Sequence, residues 1–380
     1  MHTNISLHKK TKLCFLTNGL RLGGTERVLI DSVSLISPFY DVTIIPLFQE
    51  PLPLIREALE KAGATIIAPK IKERPIFLSV PFLSKFDYEK VLRDIEYDYL
   101  FCINNVTLNA GFNKKAKKTI LWNHMDNIQK HVHPKSFLQK IKSAYLGFMH
   151  RKYDAVWSVC DKVKDDYIEA FSIKHAYTLT NPLDYDAIIS KSSLSCSLQF
   201  DSTKKNVVTV ARLHPEKGVD RLLHSWINTI AHECPDAHLY IIGWGNEHQQ
   251  YEDLIKESNF SDRITLLGPQ SNPFPYLKQA DLFVCPSRKE SFGLVILEAM
   301  ALSIPVITTA TTGGKYTTKD STLAMCVENT DKALTKAILD FLKSPENYPY
   351  SLENARKSAQ SYDLSQYKEN ILSLLNQLER

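Results

Sequence analysis

The sequence predicts an α/β protein of two Rossmann-like, doubly wound domains, and three observations predict it. The chain has 380 residues, which at about 150 residues per domain suits two. Short apolar, β-branched runs recur with helical patterns between them, the mark of a parallel sheet built from strand–helix–strand crossovers. These runs fall into two groups, parted by the turn-prone Asn181–Pro182–Leu183–Asp184. The 44% hydrophobic and 23% charged fractions exclude collagen-like, mucin-like and disordered classes.

Taken in order, strands are expected near Lys12–Thr17, Val42–Pro46, Thr65–Ala68, Tyr99–Ile103, Thr119–Trp122, Ala155–Val159 and Tyr177–Leu179. A second set is expected near Asn206–Val210, His238–Ile242, Ile264–Leu266, Leu282–Cys285, Val306–Thr308 and Leu323–Val327. The first domain then covers residues 1–183 and the second 184–360, with the polar, Ser-rich Ser190–Thr203 reading as a helix end and linker. In the remaining segment, 361–380, Tyr367, Ile371, Leu374, Leu375 and Leu378 have the spacing of an amphipathic helix over Ser365–Leu378, able to pack on either domain.

No apolar run reaches the ~18 residues a membrane-spanning helix needs, and Met1–Lys12 is basic without a cleavage signal. Seven scattered cysteines, without a C-x-x-C pair, suit reduced thiols in a cytoplasmic protein. Residues 1–190 carry 26 Lys and Arg against 20 Asp and Glu, and residues 191–380 carry 20 against 22. That imbalance is too small for a nucleic-acid partner but suits an acidic membrane face or a phosphorylated acceptor. The segment 134–153 combines Lys135, Lys140, Lys142, Arg151 and Lys152 with Phe137, Leu138, Ile141, Tyr145, Leu146, Phe148 and Met149. It suits peripheral contact with the inner face of a membrane; the default expectation is a domain helix that buries its apolar face and keeps a solvated basic edge.

Two constellations can carry chemistry. Between Cys285 and Ala301 an apolar strand ends, a polar loop carries Glu290, and a helix is expected to begin near Ser291–Phe292, with Glu298 on its second turn. Ligands bind at the carboxyl ends of strands in open α/β sheets, and a helix start offers N–H groups to an anion. Backbone amides of Ser291, Phe292, Gly293 and Leu294 would face that mouth, and Gly293 would let a ligand come close. A glutamate such as Glu298 inside an apolar helix needs partners. The second constellation, Arg212 to Lys217–Gly218 after Val210, puts a guanidinium and an ammonium at another strand mouth, and both suit phosphate. It is not a Walker loop.

Together with Gly243–Trp244–Gly245, Asn272–Asp281, Asn18–Leu29 and Asn181–Asp184, these motifs resemble in order the retaining family 4 glycosyltransferases. The likeness runs over essentially the whole chain. It implies the GT-B architecture, two Rossmann-like domains facing a cleft, and transfer of a sugar from a nucleotide-diphosphate donor, UDP-sugar favoured, to a glycan or lipid-linked acceptor in surface polysaccharide or glycolipid synthesis. By the same likeness Arg212 and Lys217 hold the diphosphate, and Glu298 binds the nucleotide ribose. Glu290 meets the donor sugar, and Gly243–Trp244–Gly245 lines the nucleotide pocket. His124, just past the strand expected at Thr119–Trp122, lies beside the transferred sugar. Attack is front-face, no protein nucleophile is assigned, and neither cofactor nor metal is expected. Gly23–Gly24 is expected to bring amides close to the donor phosphate or the acceptor, the plainer alternative being a turn that needs positive φ.

Other patterns point elsewhere. Asp184–Tyr185–Asp186 has the D-x-D form of metal-dependent transferases but follows the inter-domain segment rather than a nucleotide-binding strand. Gly243–Trp244–Gly245 lacks the third glycine of a dinucleotide fingerprint. Gly313–Gly314 keeps a glycine pair that the family has, but the acid expected soon after it is absent. That departure leaves room for a nucleotide-sugar-binding protein without transfer, and the fold also serves epimerases and phosphorylases.

Overall fold

The structure is a computed structural model that describes residues 10–20, 23–68, 92, 96–104, 116–126 and 128–379. The chain divides into two compact units, Met1–Pro182 with Ser365–Arg380, and Leu183–Leu364.

The first unit is built on strands β1 (Lys12–Thr17), β2 (Asp41–Pro46), β3 (Ala64–Ile66), β4 (Tyr97–Ile103), β5 (Ala116–Asn123), β6 (Ala155–Ser158) and β7 (Ala176–Thr178). Every pairing is parallel, in the order β3-β2-β1-β4-β5-β6-β7. Helices α1 (Gly24–Ile36), α2 (Pro53–Lys61), α3 (Gln129–Val132), α4 (Phe137–His150) and α5 (Asp161–Phe171) belong to this unit. Strands covered on both faces must be apolar throughout, and the core shows it. Phe15 stacks on Phe101 at 5.0 Å, and Phe101 meets Trp157 edge-on at 5.0 Å.

The second unit repeats the plan with β8 (Lys205–Val210), β9 (Ala237–Ile242), β10 (Ile264–Gly268), β11 (Leu282–Cys285), β12 (Val306–Thr309) and β13 (Met325–Val327), ordered β10-β9-β8-β11-β12-β13 and again all parallel. Its helices include α6 (Tyr185–Ser192), α7 (Val219–Ser225), α8 (His248–Glu257), α9 (Phe274–Leu277), α10 (Leu294–Ala301), α11 (Thr312–Thr318), α12 (Asp331–Lys343) and α13 (Leu352–Gln360). Val207, Leu222, Trp226, Ile241, Ile307 and Ile338 meet in one buried cluster. The chain ends in α14 (Leu364–Glu379). From Ser365 on it packs with the first unit, where the buried Tyr367 hydroxyl lies 2.7 Å from Ser32 Oγ.

Each strand expected from the sequence is present, with its ends shifted by three residues at most. The last strand is shorter than expected because Lys319, Asp320 and Ser321 all have positive φ, and the amides of Thr322 and Leu323 turn back to Thr318 O. The unit boundary falls after Pro182, inside the expected segment. Ser190–Thr203 is a helix end, as expected, but not a linker. Ser197 Oγ lies 2.8 Å from Tyr276 Oη and Phe200 N donates to Gln279 Oε1 at 2.8 Å, so the stretch is part of the second unit.

In both sheets the chain starts near the middle, adds strands to one side, and then crosses to the other. The order reverses between β1 and β4 in the first sheet and between β8 and β11 in the second. Strand-order reversals open a crevice at the carboxyl ends, where ligands of doubly wound folds bind.

Candidate active site

The two constellations of the second unit follow β8 and β11, the strands on either side of its reversal. After β8 the chain runs beside the loop that follows β9, with Ala211 N donating to Ile242 O at 3.0 Å and Leu213 N to Trp244 O at 3.0 Å. That approach explains the Gly-Trp-Gly spacing. A Cβ on Gly243, whose φ is +144°, would sit 1.8 Å from Ala211 O, and one on Gly245 2.1 Å from Leu213 O. Trp244 itself is exposed, with its ring 4.0 Å from that of His248.

The chain then makes one 3-10 turn over Pro215–Lys217 and closes it with Gly218 at φ +66°. From there to Glu290 the two loops are zipped together. Arg288 N and Lys289 N donate to Glu216 O at 2.8 and 3.1 Å, and the Arg288 guanidinium grips Asp220 through both nitrogens at 2.6 and 2.7 Å. Burial alone would raise the Asp220 pKa, but Arg288 outweighs it and holds the carboxyl below its ordinary value. Arg221, buried on α7, donates to Pro286 O at 2.8 Å and Ser287 O at 3.2 Å, while its second amino group also reaches Asn329 Oδ1 at 2.8 Å. Thr309 Oγ1 donates to Ser287 O at 2.5 Å from the neighbouring strand. The result is a rigid floor beneath the charged side chains, the arrangement that preorganised sites require.

On that floor the Lys217 ammonium donates to Glu290 Oε2 at 2.6 Å, with both side chains largely withdrawn from solvent. Two residues far apart in sequence, each read separately, therefore form one charge pair. Arg212 stands exposed near the start of the same loop. Helix α10 starts later than expected, at Leu294, because Gly293 has φ +90° and Phe292 is buried between Tyr316 and Tyr362, 5.7 Å from each ring. Phe292 therefore offers the site only its backbone. Its N-cap residue, Gly293, has no side chain with which to cap it, and a helix start of this kind presents backbone N–H groups to an acceptor. Glu298 is buried on the second turn, as expected. Ser291 and Leu294 are half-buried beside it.

The retained glycine pair has a structural role. Gly313 N donates to Glu290 O at 2.7 Å, and a Cβ there would press on the Phe292 backbone at 2.6 Å. Thr311 caps α11 through Gly314 N, and in place of an acid the buried Thr317 and Thr318 hydroxyls return to Gly313 O and Gly314 O, both at 2.8 Å. The D-x-D pattern also dissolves into local structure, since Asp184 caps α6 by accepting from Ala187 N at 3.1 Å.

In the first unit Gly23 and Gly24 follow β1 at the other reversal and begin α1, again with no side-chain cap. Gly23 is extended, with φ −177°, which any residue adopts. The turn that would need positive φ is absent at this pair. His124 follows β5. It is buried, its amide donates to Asn104 Oδ1 at 2.9 Å, and its ring lies 4.6 Å from that of Trp122. Burial lowers its pKa to about 4 despite the opposing influence of Asn181, so the imidazole is neutral at pH 7. Its Nδ1 is buried without a hydrogen-bond partner among the described residues. Buried polar atoms are rarely left unpaired, and such an atom at a strand mouth suits a ligand hydroxyl.

The pinning residues Asp220, Arg221, Arg288 and Asn329 did not stand out as sequence motifs. Arg221 did carry a signal, because it sits among Val219, Leu222, Leu223 and Trp226, all fully buried. A cation on the core side of a helix needs carbonyl or carboxylate partners.

Residues 191–358 match the family model described as Glycosyl transferases group 1. Over 96% of its length the chain is 25% identical to 99% of a Campylobacter jejuni protein named N-acetylgalactosamine-N,N'-diacetylbacillosaminyl-diphospho-undecaprenol 4-alpha-N-acetylgalactosaminyltransferase. Among solved structures, a glycosyltransferase from Rickettsia africae superposes with a TM-score of 0.76 at 18% identity, covering 98% of this chain and 100% of that one. Anabaena HepE in complex with UDP and glucose superposes with a TM-score of 0.74 at 19% identity, covering 97% and 100%. The fold of the chain is thus that of the GT-B glycosyltransferases, with two parallel-sheet α/β domains.

Proposed function

We propose that this protein is a retaining glycosyltransferase that moves a sugar from a nucleotide diphosphate, with UDP-sugar the favoured donor, to a glycan or lipid-linked acceptor. The observation that carries the reading is the Lys217–Glu290 pair at 2.6 Å, at the strand-order reversal beside the uncapped start of α10. An ammonium has three N–H donors; one is taken by Glu290, and the others are available to phosphate oxygens. Glu290 keeps acceptor capacity for sugar hydroxyls. Arg212 adds a guanidinium suited to bidentate phosphate contact, the amides of Ser291 to Leu294 add fixed dipoles, and Glu298 receives the ribose hydroxyls.

In the reaction the acceptor hydroxyl attacks the anomeric carbon on the face from which the diphosphate leaves. The carbon–oxygen bond to phosphate breaks as the new glycosidic bond forms, and the acceptor proton passes to a phosphate oxygen. Fixed positive charge facing the leaving phosphate lowers this barrier, the task that this reading gives to Lys217 and Arg212. The first unit takes the acceptor side, where Gly23 and Gly24 offer a close approach to backbone and neutral His124 offers a hydrogen bond to a sugar hydroxyl.

The test is a thermal-shift panel of UDP, GDP, ADP and NAD. A ligand at a hundred times its dissociation constant adds ~2.7 kcal/mol. UDP is expected to stabilise the chain and Glu298→Ala to abolish the shift. Stabilisation by NAD alone, or by no nucleotide, would end the transferase reading.

A further inference from the structure

Helix α4 contradicts the default expectation for its sequence. It is joined to the unit through Ser143, Gly147, Met149 and His150, which are buried. Its large apolar side chains lie elsewhere: Phe137 and Leu138 are each 76% exposed, and Ile141, Tyr145 and Phe148 about half exposed. Every residue from Lys135 to Lys142 is exposed, so the first two turns stand out from the unit, closed at their start by the Ser136–Gln139 capping box. At about 100° per residue, the five apolar residues share an arc of about 100°, with Lys142 beyond one edge and Lys140 beyond the other.

The charges along this stretch have one sign. From Asn127 to Tyr153 the chain has no Asp or Glu, while it has Lys130, Lys135, Lys140, Lys142, Arg151 and Lys152. A two-fold contact with a second copy would set this basic rim against itself, which is unfavourable. An anionic surface complements it. The helix rises about 1.5 Å per residue, so its 14 residues fall short of the ~30 Å apolar core of a bilayer, and an amphipathic helix of this kind lies in the interface plane instead.

We propose that α4 docks on an anionic lipid surface, with Phe137, Leu138 and Ile141 entering the headgroup boundary and Lys140 and Lys142 resting on lipid phosphates. The inference rests on the transferase reading only in its purpose, which is to bring the protein to a lipid-linked acceptor; the geometry of the helix stands without it.

Flotation of the full chain with phosphatidylcholine vesicles, with and without phosphatidylglycerol, tests the proposal. Binding is expected to need the anionic lipid and to fall as salt rises. The triple variant Phe137→Ser, Leu138→Ser, Ile141→Ser and the double variant Lys140→Glu, Lys142→Glu should each lower binding more than about tenfold. All five side chains are exposed, so melting temperature and UDP-induced stabilisation should match the parent. Ile141→Trp adds an independent readout, since its fluorescence should shift to the blue on anionic vesicles and not on neutral ones. Equal binding to both vesicle types, binding unchanged in the variants, or a dimer in sedimentation that the triple variant disperses would overturn the proposal. UDP stabilisation without vesicle binding would leave the transferase reading standing and remove this one, and the reverse result would do the opposite.

Discussion

The two sheets have the same strand plan, yet their mouths are furnished in opposite ways. The second unit places Lys217, Glu290 and Arg212 at its reversal and fixes the loops beneath them with Arg221, Arg288, Asp220 and Thr309. The first unit offers two exposed glycines and a neutral, buried histidine with a nitrogen that has no partner among the described residues. Buried charge is stable only when every group is held by partners, which is why the charged mouth carries so much supporting structure. The neutral mouth needs less and leaves hydrogen-bonding capacity unused. The same topology thereby suits a diphosphate in one unit and uncharged hydroxyls in the other.

The largest expected effect comes from removing charge at the second mouth. Lys217→Ala should lower kcat by about 10² to 10³, as loss of a preorganised charge-stabilising donor does, while leaving a largely buried Glu290 without its partner. Single-turnover kinetics with saturating UDP-sugar would measure it. A rate within a factor of a few of the parent would break the assignment of the phosphate to this unit.

Acid should separate the units. The pKa of both His124 and His150, in the first unit, is lowered by burial to about 4, against an ordinary value of about 6.5 in the unfolded chain. Between those values the unfolded state binds more protons, so stability falls as pH drops from about 6.5 to about 4, by up to ~3 kcal/mol per histidine. In the second unit, burial also holds His238 down, but the Arg288-held Asp220 behaves differently. Its contribution persists above the ordinary carboxyl range and is lost only as pH falls through its lowered value. Hydrogen exchange at a pH of about 5 should therefore show β4 to β6 opening before β8 and β11. Simultaneous opening would refute the distinction.

A glycine pair sharpens the comparison with smaller effects. At Gly243 a Cβ would strike Ala211 O, and Gly243→Ala should cost about 3 kcal/mol or more of stability. At Gly23 the backbone is extended and a Cβ meets only the flexible Glu26 carboxylate, so Gly23→Ala should cost about 1 kcal/mol or less. Its activity should nonetheless fall, because a methyl group would obstruct the approach to the amides of α1. Chemical denaturation alongside a transfer assay would read both, and full activity in Gly23→Ala would leave this pair without a role in the site.

Much of the fold was legible because strands buried on both faces must be written as continuous apolar runs. A run such as Val207–Val210 is a local pattern, so each strand from Lys12–Thr17 to Met325–Val327 declared itself. Boundaries were less legible where backbone conformation overrode pattern. The apolar Phe292 looked like the first residue of a helix, but it serves as a core side chain just before a left-handed glycine. The site motifs were visible one by one, since a charged loop after an apolar strand is a local feature too.

What the sequence determined by itself was the alternation of strands and helices, the two-unit division and the residue types at the strand ends, all of which follow from local periodicity. Only the tertiary structure decided that Lys217 and Glu290 form one pair, that Arg221 and Arg288 hold their loops, and that α4 keeps its apolar face in solvent. Those outcomes depend on which strands become neighbours and which faces are already covered. Such choices are made by packing between segments distant in the chain, and local periodicity carries no record of them.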